Sequence, residues 1–198
     1  MNENEILIAG IDYSLNGPCI CVFRGKTNDT PFAIKDCYFY FLTNTKSLAK
    51  TFNYQFIGTN FDDYSHDCQR YESIADWALE KVEGSVLVGL EGYAFGASGR
   101  AIFQIAENCG LLKYKLYQSR LPVEVIPPTS VKKLATGKGN ATKEKMVKQF
   151  QSDTRINLQK MITPNRSSIG SPVTDIVDAY YICKMAYESY QKSRALSK

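Results

Sequence analysis

A mixed α/β sheet flanked by helices is the fold class this sequence predicts, and three observations predict it. Strand-patterned segments at residues 5–12, 18–24 and 36–43 follow one another in the order of a three-stranded antiparallel meander. Two runs, Ile6-Leu7-Ile8-Ala9-Gly10-Ile11 and Val86-Leu87-Val88-Gly89-Leu90, are apolar throughout, as neighbouring parallel strands covered on both faces are. After the meander, helix-patterned segments alternate with short strands, the order of a mixed sheet to which parallel strands are added.

Taken in order, residues 5–12 form a central strand that runs into Asp12. Asn16-Gly17 is a strong hairpin signal before the second strand, Pro-Cys-Ile-Cys-Val-Phe-Arg at 18–24. The third strand is Asp-Cys-Tyr-Phe-Tyr-Phe-Leu-Thr at 36–43. Residues 44–65 are aromatic and Asn-rich, and two readings stay open for them, a short strand around 52–57 or a mobile excursion. Ile74, Trp77, Ala78 and Val82 recur at helical spacing within 67–83. Strand 85–91 ends in Glu91, a Gly/Ala loop covers 92–99, and a long helix spans about 100–118. Strand 122–126 is stopped by Pro127-Pro128. A short helix near 129–135, a Gly-Lys-Gly loop and a helix opening at Asn140 or Ala141 come next, and 152–170 reads as polar and irregular. The last helix runs from Pro172 to about Gln191, with Ser171 as its N-cap and Pro172 in the first helical position.

At 198 residues, 44% apolar and 22% charged, the chain fits one globular domain with a core. That domain is taken as 1–190, followed by a basic tail at 191–198. No apolar run reaches the roughly 18 residues of a membrane span, and the N-terminus lacks a signal-peptide pattern. The expectation is a cytoplasmic protein without a membrane partner. Six cysteines at 19, 21, 37, 68, 109 and 183 sit in apolar surroundings, the pattern of reduced and mostly buried thiols rather than a zinc site. His66 is the single histidine, in a polar stretch, and reads as a surface residue. Histidine-based nucleophilic triads are thereby nearly excluded. The net charge of +4 is unevenly spread, with nine basic residues against Glu124 and Glu144 between 113 and 148. Such a stretch is either a solvated face or a surface for a polyanion.

Asp12 and Glu91 each terminate an apolar strand, and Asp175 and Asp178 lie three apart at the start of a helix. Each acid alone has an ordinary explanation as a turn former, a strand-end charge or a helix N-terminal decoration. Together they are four carboxylates from three segments. A strand that is buried on both faces has no electrostatic reason to end in a carboxylate unless something pairs with it. Divalent cations are the natural partners of such oxygen clusters, and ions held about 3.5–4 Å apart serve phosphodiester hydrolysis. Adjacent parallel strands at 5–12 and 85–91 would bring Asp12 and Glu91 out together at their carboxyl ends.

Four short motifs carry a family likeness: Gly10-Ile11-Asp12; Leu90-Glu91-Gly92; Val131-Lys132-Lys133 with Thr136-Gly137-Lys138-Gly139-Asn140-Ala141-Thr142-Lys143; and Thr174-Asp175-Ile176-Val177-Asp178-Ala179. In this order over about residues 5–190, the sequence resembles the RuvC family of Holliday junction resolvases, of the RNase H-like superfamily. The resemblance implies an RNase H-like mixed sheet and an endonuclease that resolves four-way or branched DNA by paired symmetric nicks. It implies Asp12, Glu91, Asp175 and Asp178 as catalytic, metal-ligating carboxylates, holding two Mg²⁺ per site with Mn²⁺ able to substitute. It also implies Lys132 and Lys143 on DNA phosphate near the scissile bond, Lys143 with a catalytic part, and Lys133 and Lys138 among the DNA contacts. The residues agree on one point: a lysine in the first turn of a helix opposes the helix dipole, so Lys143 fits a bound anion better than it fits helix stability.

Family members carry an aromatic wedge after the strand-end glutamate, and here Tyr93 and Phe95 both occupy that neighbourhood. Either one unstacks bases, or the aromatic packs on the core. The enlarged 44–65 segment points to a divergent, phage- or virus-type member. Helix 100–118 is more apolar than one buried face requires and is interrupted by Gly110. Two accounts stand for it, a two-fold homodimer contact, as the resemblance implies, and an ordinary core helix. Two functional rivals differ in class. An actin-like phosphotransferase would need further phosphate loops that the chain lacks, and a branched-DNA-binding protein without catalysis would have no use for four acids beside DNA.

Overall fold

The computed structural model describes residues 5–92 and 100–196. Seven strands form one sheet in the order β4-β5-β3-β2-β1-β6-β7. The expected meander is β1 (Ile6–Asp12), β2 (Cys19–Gly25) and β3 (Cys37–Thr43), antiparallel with Asp12 opposite Cys19 and Cys19 opposite Phe41. Residues 44–65 hold more order than the sequence conveyed. Strands β4 (Thr51–Phe52) and β5 (Phe56–Asn60) make a tight hairpin, and β5 lies parallel to β3. Buried Gln55 secures it, donating to the carbonyls of Ile34 at 2.6 Å and Cys37 at 2.8 Å.

Helix α1 (Asp67–Val82) follows, with exposed His66 as its N-cap, accepting from the Gln69 amide. Strand β6 (Leu87–Glu91) is parallel to β1, helix α2 spans Arg100–Gln118, and β7 (Val123–Ile126) is parallel to β6. Three short helices come next, α3 (Pro128–Thr136), α4 (Lys143–Thr154) and α5 (Leu158–Ile162), and then the long α6 (Val173–Leu196). Gly137 ends α3 at φ 76°, a left-handed position that glycine adopts without strain.

Several boundaries differ from expectation. The α4 helix opens at Lys143 rather than at Asn140 or Ala141, because the Thr142 side chain caps it by accepting from the Lys145 amide. The region 152–170 is not irregular throughout: α4 continues to Thr154, and Asn157 caps the short α5. Helix α6 begins at Val173, and Ser171 does not cap it, since the Ser171 hydroxyl donates to the Asp175 carboxylate instead. The same helix passes Gln191 and runs to Leu196, so residues 191–196 are helical. Its last turns clasp the loop after β2. Tyr187 Oη donates to the Thr30 carbonyl, Tyr190 Oη to Asn28, and Arg194 to the Asn28 carbonyl and the Asp29 carboxylate.

The sheet separates two cores. On one face, Ala9, Ile11, Ile20, Val22, Val88 and Leu90 pack with α1 and α2. On the other, Ile8, Cys19, Cys21, Phe23 and Phe39 meet α6, which is buried in turn under α3, α4 and α5. All six cysteines are free and all but Cys68 are buried, as composition predicted.

Gly10 fixes how α6 sits. A Cβ there would overlap the Cys183 backbone nitrogen and lie 2.6 Å from the Ala179 carbonyl oxygen. Its register partner on β6 is Gly89, where a Cβ would come within 3.1 Å of Ile182 and Ala186. Two adjacent glycines thus let the helix backbone rest on the strands. Gly10→Ala is expected to destabilise the chain by about 3 kcal/mol or more, at or above the top of the usual overpacking range because the obstacle is backbone. Denaturant melts of the two chains check this, and a loss within experimental error would show that α6 can lift without cost.

Candidate active site

Side chains alternate across a strand, so residues of β1 two apart share a face. Gly10 faces α6, and therefore so does Asp12. On β6, Gly89 faces α6, and therefore so does Glu91. The parallel register pairs Ile11 with Leu90, which leaves Asp12 and Glu91 side by side at the strand ends. Helix α6 runs antiparallel to β1: Cys183 Sγ donates to the Ile8 carbonyl, and Ala179 lies over Gly10. Toward its N-terminus, Asp178 adjoins Ala179 and Asp175 lies one turn further, so both come to the end of β1 where Asp12 stands. All four acids line one cleft of about 300 Å³, together with Ser14, Pro128, Val131, Lys132, Lys143 and Met146.

Electrostatics in this cleft are unfavourable for bare carboxylates. Burial holds Asp12 protonated well above the ordinary carboxylate range, and the charges of Glu91, Asp175 and Asp178 push it further. Burial and then the Asp178 charge raise Glu91 to about 7, against lowering by Lys132, by a hydrogen bond with Asp12 and by Lys143. Burial raises Asp178 to about 6, with Lys143 opposing and Asp175 adding to the rise. Asp175 is placed differently. Its Oδ2 accepts from the Ser171 hydroxyl and its Oδ1 from the Thr174 hydroxyl at 2.9 Å. Gly17 adjoins it so closely that a Cβ there would stand 2.7 Å from Oδ2.

The donor set is all carboxylate oxygen, which suits a hard divalent ion. Raised pKa values in three of the four acids mark a buried cluster whose charges Lys132 and Lys143 only partly offset. Among the described residues, however, no three His, Cys, Asp or Glu side chains stand close enough together to hold a metal ion as they are. The acids converge on one cleft without yet forming a cage.

Two of the four predicted lysines reach the cleft. Lys132 comes from α3, and Lys143 is the first residue of α4. Lys133 and Lys138 are exposed outside it. Tyr93 and Phe95 lie outside the described residues. Sequence reasoning missed Ser14, two residues after Asp12, which joins the cleft wall. It also missed the Asp175 hydrogen bonds, since Ser171 carries the usual signature of a cap, and the apolar floor of Pro128, Val131 and Met146.

No family model matches the sequence, and no curated protein matches it by sequence. Solved structures do resemble it. The chain is similar to the Thermus thermophilus RuvC structure at 14% identity and TM-score 0.58, covering 96% of this chain and 97% of that one. It is similar to T. thermophilus RuvC in complex with Holliday junction substrate at 14% identity and TM-score 0.60, covering 96% of each chain. The yeast mitochondrial Holliday junction resolvase Ydc2 is similar at 15% identity and TM-score 0.53, with 96% of this chain and 81% of that one covered. At such identities the likeness is one of architecture, and the chain has the RNase H-like fold of these structures over nearly its whole length.

Proposed function

We propose that this chain is a divalent-metal-dependent endonuclease that cuts four-way or otherwise branched DNA. The observation that carries the reading is the meeting of Asp12, Glu91, Asp175 and Asp178 with Lys132 and Lys143 in one cleft at the carboxyl ends of β1 and β6. Its fold is that of RuvC, and one such structure holds a Holliday junction substrate. The four carboxylates would hold two Mg²⁺, or Mn²⁺ in their place. Ions bound there would supply an activated water and stabilise the leaving oxygen of a phosphodiester.

The chain's own residues divide the remaining tasks. Lys132 and Lys143 stand against the acids and offset the repulsion that four carboxylates impose on an incoming phosphate. The Lys143 charge adds to the positive N-terminal end of α4, an anion-favouring position. Exposed Lys133 and Lys138, outside the cleft wall, would add phosphate contacts further along the bound DNA. The apolar floor of Val131 and Met146 keeps bulk water from one side, which strengthens each charge–charge interaction.

The same reading takes the enzyme as a homodimer, with one site per copy nicking strands symmetrically. Helix α2 offers the surface. Phe103 is 66% and Tyr117 78% exposed, Tyr114 is also exposed, and Gly110 between them faces open space. Positions 103, 110, 114 and 117 form one helical stripe. A glycine flanked by aromatics lets a second copy of the helix come close.

Asp12→Asn and Asp178→Asn are expected to bind a synthetic four-way junction normally and to lose cleavage by more than the roughly 10–100-fold that loss of a ligand's supporting hydrogen bond costs. Product formation in Mg²⁺ and Mn²⁺ measures this. Tight binding by the unaltered chain with no product in either metal would leave a DNA-binding protein instead. The raised carboxylates also set a pH dependence. Unfolded carboxylates lose their protons near pH 4, while folded Glu91 and Asp178 keep theirs to about 7 and 6. Over that window the folded state binds more protons, so stability falls as pH rises. In chelator, the melting midpoint should fall between pH 5 and pH 8, and Mg²⁺ should restore more of it at pH 8. An equal response to Mg²⁺ at both pH values would count against the four acids as its ligands. Finally, Tyr114→Glu should convert a dimer to a monomer in sedimentation, and an unaltered chain already monomeric at high concentration would contradict the α2 contact.

A further inference from the structure

A second cleft of about 300 Å³ opens on the α1/α2 side of the turn between β1 and β2, lined by Ser14, Leu15, Asn16, Arg70, Gln104 and Ile105. Ser14 lines this cleft and the carboxylate cleft alike, so the turn is their common wall. No aspartate or glutamate lines the second cleft among the described residues. Of its lining residues, Gln104 donates through Nε2 to the Asp67 carboxylate at 3.2 Å.

Arg70 is held in a fixed pose. Its Nη2 donates to the Leu15 carbonyl at 2.6 Å and to Asn16 Oδ1 at 2.9 Å, and the Tyr64 ring lies 5.2 Å from the guanidinium carbon. The acceptors are neutral, so they orient the cation without cancelling it. The ion pairs among the described residues are Lys81–Glu80, Lys115–Asp76 and Arg194–Asp29, and Arg70 belongs to none. Its Nε is buried without a partner. A cation that is rigid, partly desolvated and unpaired is poised for an anion. The neighbouring groups are suited to one as well. Ser14 Oγ accepts from the Gly17 amide at 3.0 Å and keeps its own hydrogen to donate. Asn16 uses its oxygen on Arg70 and keeps its amide hydrogens.

We propose that this second cleft binds a backbone phosphate of the nucleic-acid strand that enters the carboxylate cleft, with Arg70 as the cation and Ser14 and Asn16 as neutral donors. The inference rests on the nuclease reading and adds to it a grip on the opposite side of the β1–β2 turn. A strand held on both sides of that turn has its register fixed before any bond is cut.

Binding of a four-way junction by the full chain, with Ca²⁺ in place of Mg²⁺ to slow cleavage and across a salt series, tests it. Arg70→Gln removes the charge. Asn16→Asp keeps the shape and the acceptor that orients Arg70 but turns the contact into an ion pair, so it preserves or raises the melting midpoint while neutralising the site. Both variants should bind about tenfold more weakly, the size of one charge-assisted contact, and should reduce the slope of log affinity against log salt by about one. Unaltered affinity and slope in a folded Asn16→Asp overturns the site, whatever becomes of Arg70→Gln. If that variant matches an unaltered chain that binds and cuts, only this inference fails. If the unaltered chain binds no junction at any salt, the nuclease reading falls with it.

Discussion

The seating of one helix backbone directly on two strands is the constraint from which the rest of the molecule follows. Gly10 and Gly89 are register partners, and neither leaves room for a side chain beneath α6. With the helix that low, its first turns reach the level at which β1 and β6 end. The acids of α6 then meet the acids of the strands, although no two of these three segments are neighbours in sequence. Helix α6 tolerates this position because nearly every residue from Val173 to Cys183 is buried, with the sheet on one side and α3, α4 and α5 on the other. Burial of its large side chains, at roughly 1.5–3 kcal/mol each, opposes the electrostatic cost concentrated at its N-terminal end.

That cost is distributed unevenly. Asp175 is stabilised locally by two hydroxyl donors, Ser171 and Thr174. Asp12, Glu91 and Asp178 have no such provision and instead hold their protons to higher pH, the response of carboxylates that share a poorly solvated space. Lys132 and Lys143 offset part of the imbalance from the facing helices. An anionic centre with a cationic rim repels a polyanion unless counter-cations enter first. This asymmetry, more than the presence of any single acid, supports a metal-dependent phosphodiesterase reading.

Much of this was legible before any coordinates. Apolar runs ending in Asp12 and Glu91 betray doubly covered strands, and their adjacency follows once both are placed in one sheet. The i, i+3 spacing of Asp175 and Asp178 gives their shared face directly. What stayed hidden depends on contacts distant in sequence. The β4–β5 hairpin is only a few residues long, and its parallel pairing with β3 leaves no periodic mark in residues 44–65. Ser171 precedes a helix and a proline exactly as a cap would, and only the proximity of Asp175 redirects its hydroxyl. Arg70 reads as one more polar residue on an amphipathic helix, because the carbonyl that orients it belongs to a turn 55 residues earlier.

The bond from Cys183 to the Ile8 carbonyl spans 175 residues of chain. Ribosomes deliver β1 early and α6 late, so during synthesis the first strand waits with its α6-facing side bare while the intervening helices emerge. Until α6 arrives, Asp12 and Glu91 face solvent and the second pair of acids does not exist. A polypeptide that stops short of α6 therefore has neither a finished core nor a complete carboxylate set, and competence for the proposed chemistry waits on the docking of that helix.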